Sequence, residues 1–222
     1  MSSGGTDYVQ TCFKHKVIPT IFGTPAFHQI EDLKRKIIAN AASVPTTLGG
    51  GAHGHMRLAM TDLEFANVSP TPYVRPALPG PIVFPTPCTY IQGELLRSAH
   101  KTAMDSYRAT VDVERALLGQ IQGAFEEEYL AEIVNPDSHV LEGPISDVWD
   151  YLYDEYGQVD SEVLANRTTD LRDTQLNLAS SFATFYRDLE SLKKMSELAG
   201  LNYTDNFIID IACTVFHEDR SA

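Results

Sequence analysis

The chain has no long apolar run. Nothing in its 222 residues approaches the ~18 uninterrupted apolar residues that a membrane-spanning helix needs. Met1 to Lys16 contains no basic segment leading into an apolar stretch, so a secretory signal is not expected there. Ser2, not glycine, follows the first methionine, which argues against N-terminal myristoylation. Cysteine is scarce: Cys12, Cys88 and Cys213 are far apart and odd in number, and no Cys-x-x-Cys pair exists. That excludes a zinc ribbon and a disulfide framework, and reduced thiols in the cytoplasm are the expectation.

The familiar catalytic signatures are also missing. Gly49-Gly50-Gly51 is not followed by Gly-Lys-Ser/Thr, so it is no phosphate-binding loop. There is no Gly-x-Ser-x-Gly elbow, no Asp-Ser/Thr-Gly motif and no Asp-Asp pair. Glu126, Glu127 and Glu128 read as a solvated helix start that complements the helix dipole. His53-Gly54-His55 would put two imidazoles on one face of an extended segment, which is a partial metal site. A His-dependent metalloenzyme needs further ligands, and only folding could bring His28, His100 or Asp62 there. No enzyme activity, metal or cofactor is expected.

Positive charge is absent from a whole section. Between Ala116 and Asn166 there are twelve Asp/Glu and no Lys or Arg, within a net charge of −13. Such a stretch repels a polyanion. Up to Met60 the balance reverses, with six Lys/Arg against three Asp/Glu. Any RNA contact is therefore expected at Lys14, Lys16, Lys34, Arg35 and Lys36, and is weak from this chain alone. The plainer reading of that cluster is a solvated basic helix face.

What is present is mostly helix. The Ser/Gly-rich first dozen residues are expected to be disordered. A short apolar run, Val17 to Phe22, is broken by Pro19. Ile30, Leu33, Ile37 and Ala41 then predict an amphipathic helix over about Gln29–Ala42. Eight of the twelve prolines lie in residues 44–88, which excludes long helices there and predicts an extended arm. One helical turn is expected at Thr61, where Thr61-x-x-Glu64 has the capping-box form. The arm is too apolar for a plain linker: Leu58, Leu63, Phe65, Tyr73, Val74, Ile82, Val83 and Phe84 are all expected to seek burial.

From Thr89 the periodicity is helical throughout. A long helix is expected over Tyr90–Phe125, with Leu96, Ala99, Ala103, Tyr107, Val111, Leu118 and Ile121 on its apolar side. A shorter one covers Glu127–Val134. Pro144 opens the next, whose stripe is Ile145, Val148, Trp149, Leu152 and Tyr156, with Gly157 as its stop. Three more follow: Ser161–Gln175, Ser181–Leu198 carrying Phe182, Phe185, Tyr186, Leu189 and Leu192, and Thr204–Phe216. No strand alternation of useful length occurs after residue 88, and no internal repeat. The expected divisions are 1–88, 89–157 and 158–222.

The order of these elements resembles the Gag polypeptide of copia-type LTR retrotransposons. That family shows a Trp-x-x-Leu-x-x-x-Tyr helix often followed by Gly, matched here by Trp149, Leu152, Tyr156 and Gly157. A helix with spaced Phe/Leu ending in Gly and an apolar last helix follow, matched by Phe182, Phe185, Leu189, Leu192, Ala199-Gly200 and Phe207 to Ile211. Upstream, Ala41 to Val44, Gly49 to His55, Arg75 to Phe84 and Leu95 onward are similar to Gag-like proteins of algal and oomycete retroelements. The resemblance spans about Phe22 to Phe216. Two features of the family are missing: the Cys-x2-Cys-x4-His-x4-Cys zinc knuckle and a Leu-Pro-x-x-Tyr ending.

The resemblance implies an all-α, capsid-like bundle in two small lobes behind a Pro/Gly-rich arm. It implies a structural protein that self-assembles into cytoplasmic virus-like particles around the element's RNA, without a membrane. It also makes the His-Gly-His segment a turn on the arm. Gln158 to Asp160 is the expected hinge between lobes. Tyr73, Val83 and Phe84 on the arm and Phe207, Ile211 and Val215 on the last helix are the candidate assembly contacts. The alternative is a helical adaptor, or domesticated Gag, that binds partners without forming shells.

Overall fold

A computed structural model of the chain describes residues 3–159, 161–173 and 182–218. Among them are eight α-helices and no strand, only two isolated β-bridges. The helices are α1 (Ser3–Cys12), α2 (Phe27–Ser43), α3 (Asp62–Ala66), α4 (Tyr90–Gly123), α5 (Ile145–Tyr156), α6 (Ser161–Arg172), α7 (Phe182–Leu198) and α8 (Asp205–Glu218). None of them is long and apolar enough to cross a membrane. Three 3-10 turns, Leu48–Gly50, Met56–Ala59 and Glu127–Leu130, interrupt the connections.

Most expected boundaries are met within a residue or two, and the exceptions have physical causes. The first dozen residues were expected to lack structure, yet Ser3–Cys12 is helical and packs against α4. Its apolar side continues into Phe13, and Val9 and Phe13 are both buried, so tertiary burial overrides the weak helix propensity of Ser and Gly. The segment expected as a helix over Glu127–Val134 closes after a single 3-10 turn. The residues Asp160, Gln175 and Ser181, used above as hinge or helix limits, lie outside the described residues.

The chain packs as two units that do not follow the divisions read from sequence. One comprises residues 1–23 and 32–150; the other comprises 24–31 and 151–222. The arm and the long helix therefore share one core.

In the first unit, a buried asparagine ties three segments together. The Asn40 side chain on α2 accepts from His15 N at 2.6 Å and donates to His15 O at 2.9 Å and to Gln120 Oε1 on α4 at 2.7 Å. An amide with both N–H groups and its oxygen bonded in the interior fixes register as apolar packing does not. Trp149 is buried and its indole N–H donates to Ala59 O at 3.2 Å, joining α5 to the turn before α3. Val113, Ala116, Leu117, Leu118 and Ile121 of α4 supply much of this core.

The second unit is a bundle of α6, α7 and α8. Leu164, Leu171, Phe185, Leu189, Leu192, Met195, Ile211 and Val215 form its interior, with Phe27 from the start of α2. Gly157 is required by space: a Cβ there would lie 2.5 Å from Tyr153 O. Ser196, fully buried, donates to Lys193 O and accepts from Tyr203 N at 2.9 Å, closing the turn between α7 and α8. Beside the bundle, Glu31 accepts from the Tyr153 hydroxyl and from Lys194 Nζ, the latter at 2.8 Å.

Candidate interaction surface

The His-Gly-His segment is an anchor for the arm. Gly54 has φ +55° and sits against the end of α2, where a Cβ would lie 2.4 Å from Ala42 O and 2.7 Å from Val44 O. Only glycine fits both the conformation and the gap. His55 follows, 2% exposed, with its backbone N–H on Ala41 O at 2.9 Å and its Nδ1 2.8 Å from Tyr73 Oη. Burial holds the imidazole down at about 4 and pushes the Tyr73 phenol up to about 12. His53 instead meets the Phe65 ring edge-on, and Phe65 meets Tyr73 likewise. The two imidazoles thus do separate packing work. Among the described residues, no group of three His, Cys, Asp or Glu is arranged to hold a metal ion.

Beyond Tyr73 the arm runs antiparallel to α4. Arg75 makes a two-pronged pair with Glu114, at 3.0 and 2.6 Å. Glu114 is largely buried, and that burial raises its pKa while Arg75 opposes the rise. Further along, His100 Nε2 lies 2.9 Å from Gly80 O. At the far end Arg97 stacks over Phe84, 5.2 Å from the ring centre. Gly93 is buried there, with Phe84 and Cys88 in ordinary contact range. Thr89 then caps α4: its hydroxyl accepts from Gln92 N, and Gln92 Oε1 accepts from Thr89 N.

The outcome is an apolar tip. Val83 is 80% exposed, and Phe84, Tyr90, Ile91 and Leu95 are exposed as well. Leu63 and Val74, expected to be covered, are also exposed, whereas Leu58 and Phe65 are buried and Tyr73 and Ile82 half-buried. This chain's own body therefore covers only part of the arm, which was expected to lie against a helical body, its own or a neighbour's. Every third arm residue (Tyr73, Pro76, Pro79, Ile82) is half-buried and the two between are exposed, so a Pro-rich arm with a three-residue repeat covers only one side. The first five turns of α4 are similarly bare: before Thr110, Gly93 is its one buried residue.

At the other end of α4 lies an open apolar groove of about 600 Å³. Val111, Leu118 and Gly119 form its helix wall with Glu114, Arg115 and Gln122, Arg75 of the arm borders it, and Val140 to Pro144 form the opposite wall. The loop wall is held by Asn135, whose side chain accepts from Asp137 N and Ser138 N, and by Gln122, which accepts from Leu141 N.

The remaining predicted residues divide cleanly. Trp149, Leu152, Phe185 and Leu189 are core, Tyr156 is half-buried, and Phe182 is exposed. Of the last-helix contacts, Ile211 and Val215 are interior to their own bundle and Phe207 is partly covered by it. Ile211 and Val215 complete a core and do not face outward, so a neighbour reaches them only if the bundle opens, whereas Phe207 is half-buried at its edge. Of the basic residues, Lys34 pairs with Glu64 at 2.8 Å, and Lys36 and Arg35 pair with Asp32 at 2.6 and 3.5 Å. Lys14 and Lys16 are exposed. The groove and the Thr89 cap were not foreseen. The cap was readable, because Thr89-x-x-Gln92 repeats the pattern of Thr61-x-x-Glu64.

No family model, curated protein or solved structure matches the chain.

Proposed function

We propose that the protein is a structural, self-associating Gag/capsid-like protein of a copia-type LTR retroelement, and not an enzyme. The observation that carries this is the arm tip: five large apolar side chains within Val83–Leu95 are held in solvent by a capped helix and an ion-paired arm. Exposed apolar residues scattered singly are ordinary, but a concentrated group of them marks a contact surface. A rigid helical body that presents weak surfaces to many copies of itself is what a shell protein needs. The all-helical fold and the ordered resemblance from Phe22 to Phe216 support the family assignment.

Negative-stain electron microscopy of the purified chain over a salt series tests this. Closed shells or tubes of uniform width are expected. Monomers or small oligomers at every salt concentration would overturn the shell role and favour a helical adaptor.

A further inference from the structure

The three-residue repeat of burial along the arm is that of a polyproline II helix, which has three residues per turn and no internal hydrogen bonds. Seven prolines between Pro70 and Pro87 favour that conformation. The main chain agrees with it. Among the described residues, Gly80 O, 2.9 Å from His100 Nε2, is the one backbone group from Tyr73 to Phe84 with a hydrogen-bond partner. A helix of this kind is a triangular prism. One ridge lies on α4, and the other two face solvent, with Val74 71% and Leu78 62% exposed.

We propose that these two outward ridges, centred on Ala77, Leu78, Gly80 and Pro81, are a docking strip for another protein that reads the polyproline II helix with a groove of aromatic side chains. Such a groove seats two ridges of the prism and leaves the third outside, and here the third is already spent on α4. The arm is held in shape by the Arg75–Glu114 pair, so little ordering entropy remains to oppose binding. From Pro76 to Thr89 there is no charged residue, so the strip offers apolar side chains and free carbonyls, and nothing for a charged groove to pair with. Tryptophan and tyrosine meet both needs, with a flat apolar face and an N–H or O–H donor. A second copy does not supply that groove from its own tryptophan, because Trp149 is buried with its N–H on Ala59 O. The cavities bordered by the arm and α4 each carry at most one aromatic side chain, Tyr73 or Tyr107. The strip is separate from the Val83–Leu95 tip and does not rest on self-association.

The full chain is titrated into isotope-labelled polyproline-binding domains of the WW and Src-homology classes, and binding is followed by NMR. Shifts confined to the aromatic groove of at least one domain are expected. Leu78→Asp with Pro81→Asp should weaken that binding at least about tenfold, since both lose an apolar contact. Both side chains are exposed, so circular dichroism should be unchanged; Ala77→Glu, on the same strip, is a second variant should the first misfold. Val83→Ser with Phe84→Ser should leave the binding within about twofold. Sedimentation velocity should show the reverse for self-association, which the tip variant loses and the strip variant keeps. Arg75→Gln, which loosens the arm, should not strengthen binding; a gain would mean that the domain takes a detached arm, and would overturn docking on the seated one. No groove shifts with any domain, or shifts that survive the Leu78/Pro81 change, would overturn the inference and leave self-association standing.

Discussion

At the scale of single residues, Gly54 and His55 are where the fold has least freedom. Any side chain at Gly54 runs into two backbone carbonyls at the end of α2 and must also adopt positive φ. Gly54→Ala should therefore cost about 2–4 kcal/mol, read as a lower urea midpoint with unchanged slope. His55 has an acid signature. Its folded pKa lies at about 4, below the ordinary 6.5, because burial disfavours the imidazolium. In the unfolded chain it takes a proton below pH 6.5. The unfolded state thus binds more protons between pH 6.5 and 4, and stability falls as pH falls through that window. The loss attributable to His55 is about 3 kcal/mol, and it should disappear from the pH profile of His55→Gln, whatever that variant's overall stability. An unchanged slope in the variant would show that other groups carry the acid sensitivity.

At the scale of elements, the arm is fastened at its base and bare at its end. Arg75→Gln leaves the buried Glu114 carboxylate without its guanidinium partner. A loss of about 2 kcal/mol is expected at pH 8, less than for a fully buried pair because Arg75 is partly exposed. The loss should shrink toward pH 5 as Glu114, its pKa already raised by burial, takes a proton. Denaturation of the variant at both pH values checks this. The Val83→Ser/Phe84→Ser variant should unfold within about 0.5 kcal/mol of the unaltered chain, since both side chains are exposed. The element order was largely legible in the sequence, because helical spacing, Pro144, Gly157 and the Thr61 box each act locally. The partition into cores was not. Phe27 packs with Leu164 and Ile211, and Asn40 bonds to His15 and Gln120, through contacts that no local pattern encodes. The expectation that Val83 and Phe84 seek cover came from their apolarity. Which body covers them is a matter of geometry, and their own α4 takes only one side of the arm.

At the scale of the whole molecule, net charge opposes association. Two chains of −13 repel at long range, and salt shortens the reach of that repulsion to about 8–10 Å at physiological ionic strength. Assembly should therefore rise with salt from low to physiological strength, followed by light scattering. Assembly that weakens over this range would mean that ion pairs between copies outweigh the overall repulsion. The basic residues near the N-terminus bear on a different partner. Lys34, Arg35 and Lys36 are already paired with Glu64 and Asp32, so Lys14 and Lys16 are the better place to look for an RNA contact.

The exposed half of α4 has a mechanical consequence. A helix whose first five turns contribute only one glycine to a core behaves as a lever pivoting near Thr110. The tip lies roughly 30 Å from that pivot, at about 1.5 Å per residue. A bend of about 10°, within the gentle curvature of long helices, sweeps the tip through roughly 5 Å. In the proposed shell, a lever of this kind would let one chain meet neighbours at several angles, and particle radius would follow how far it leans.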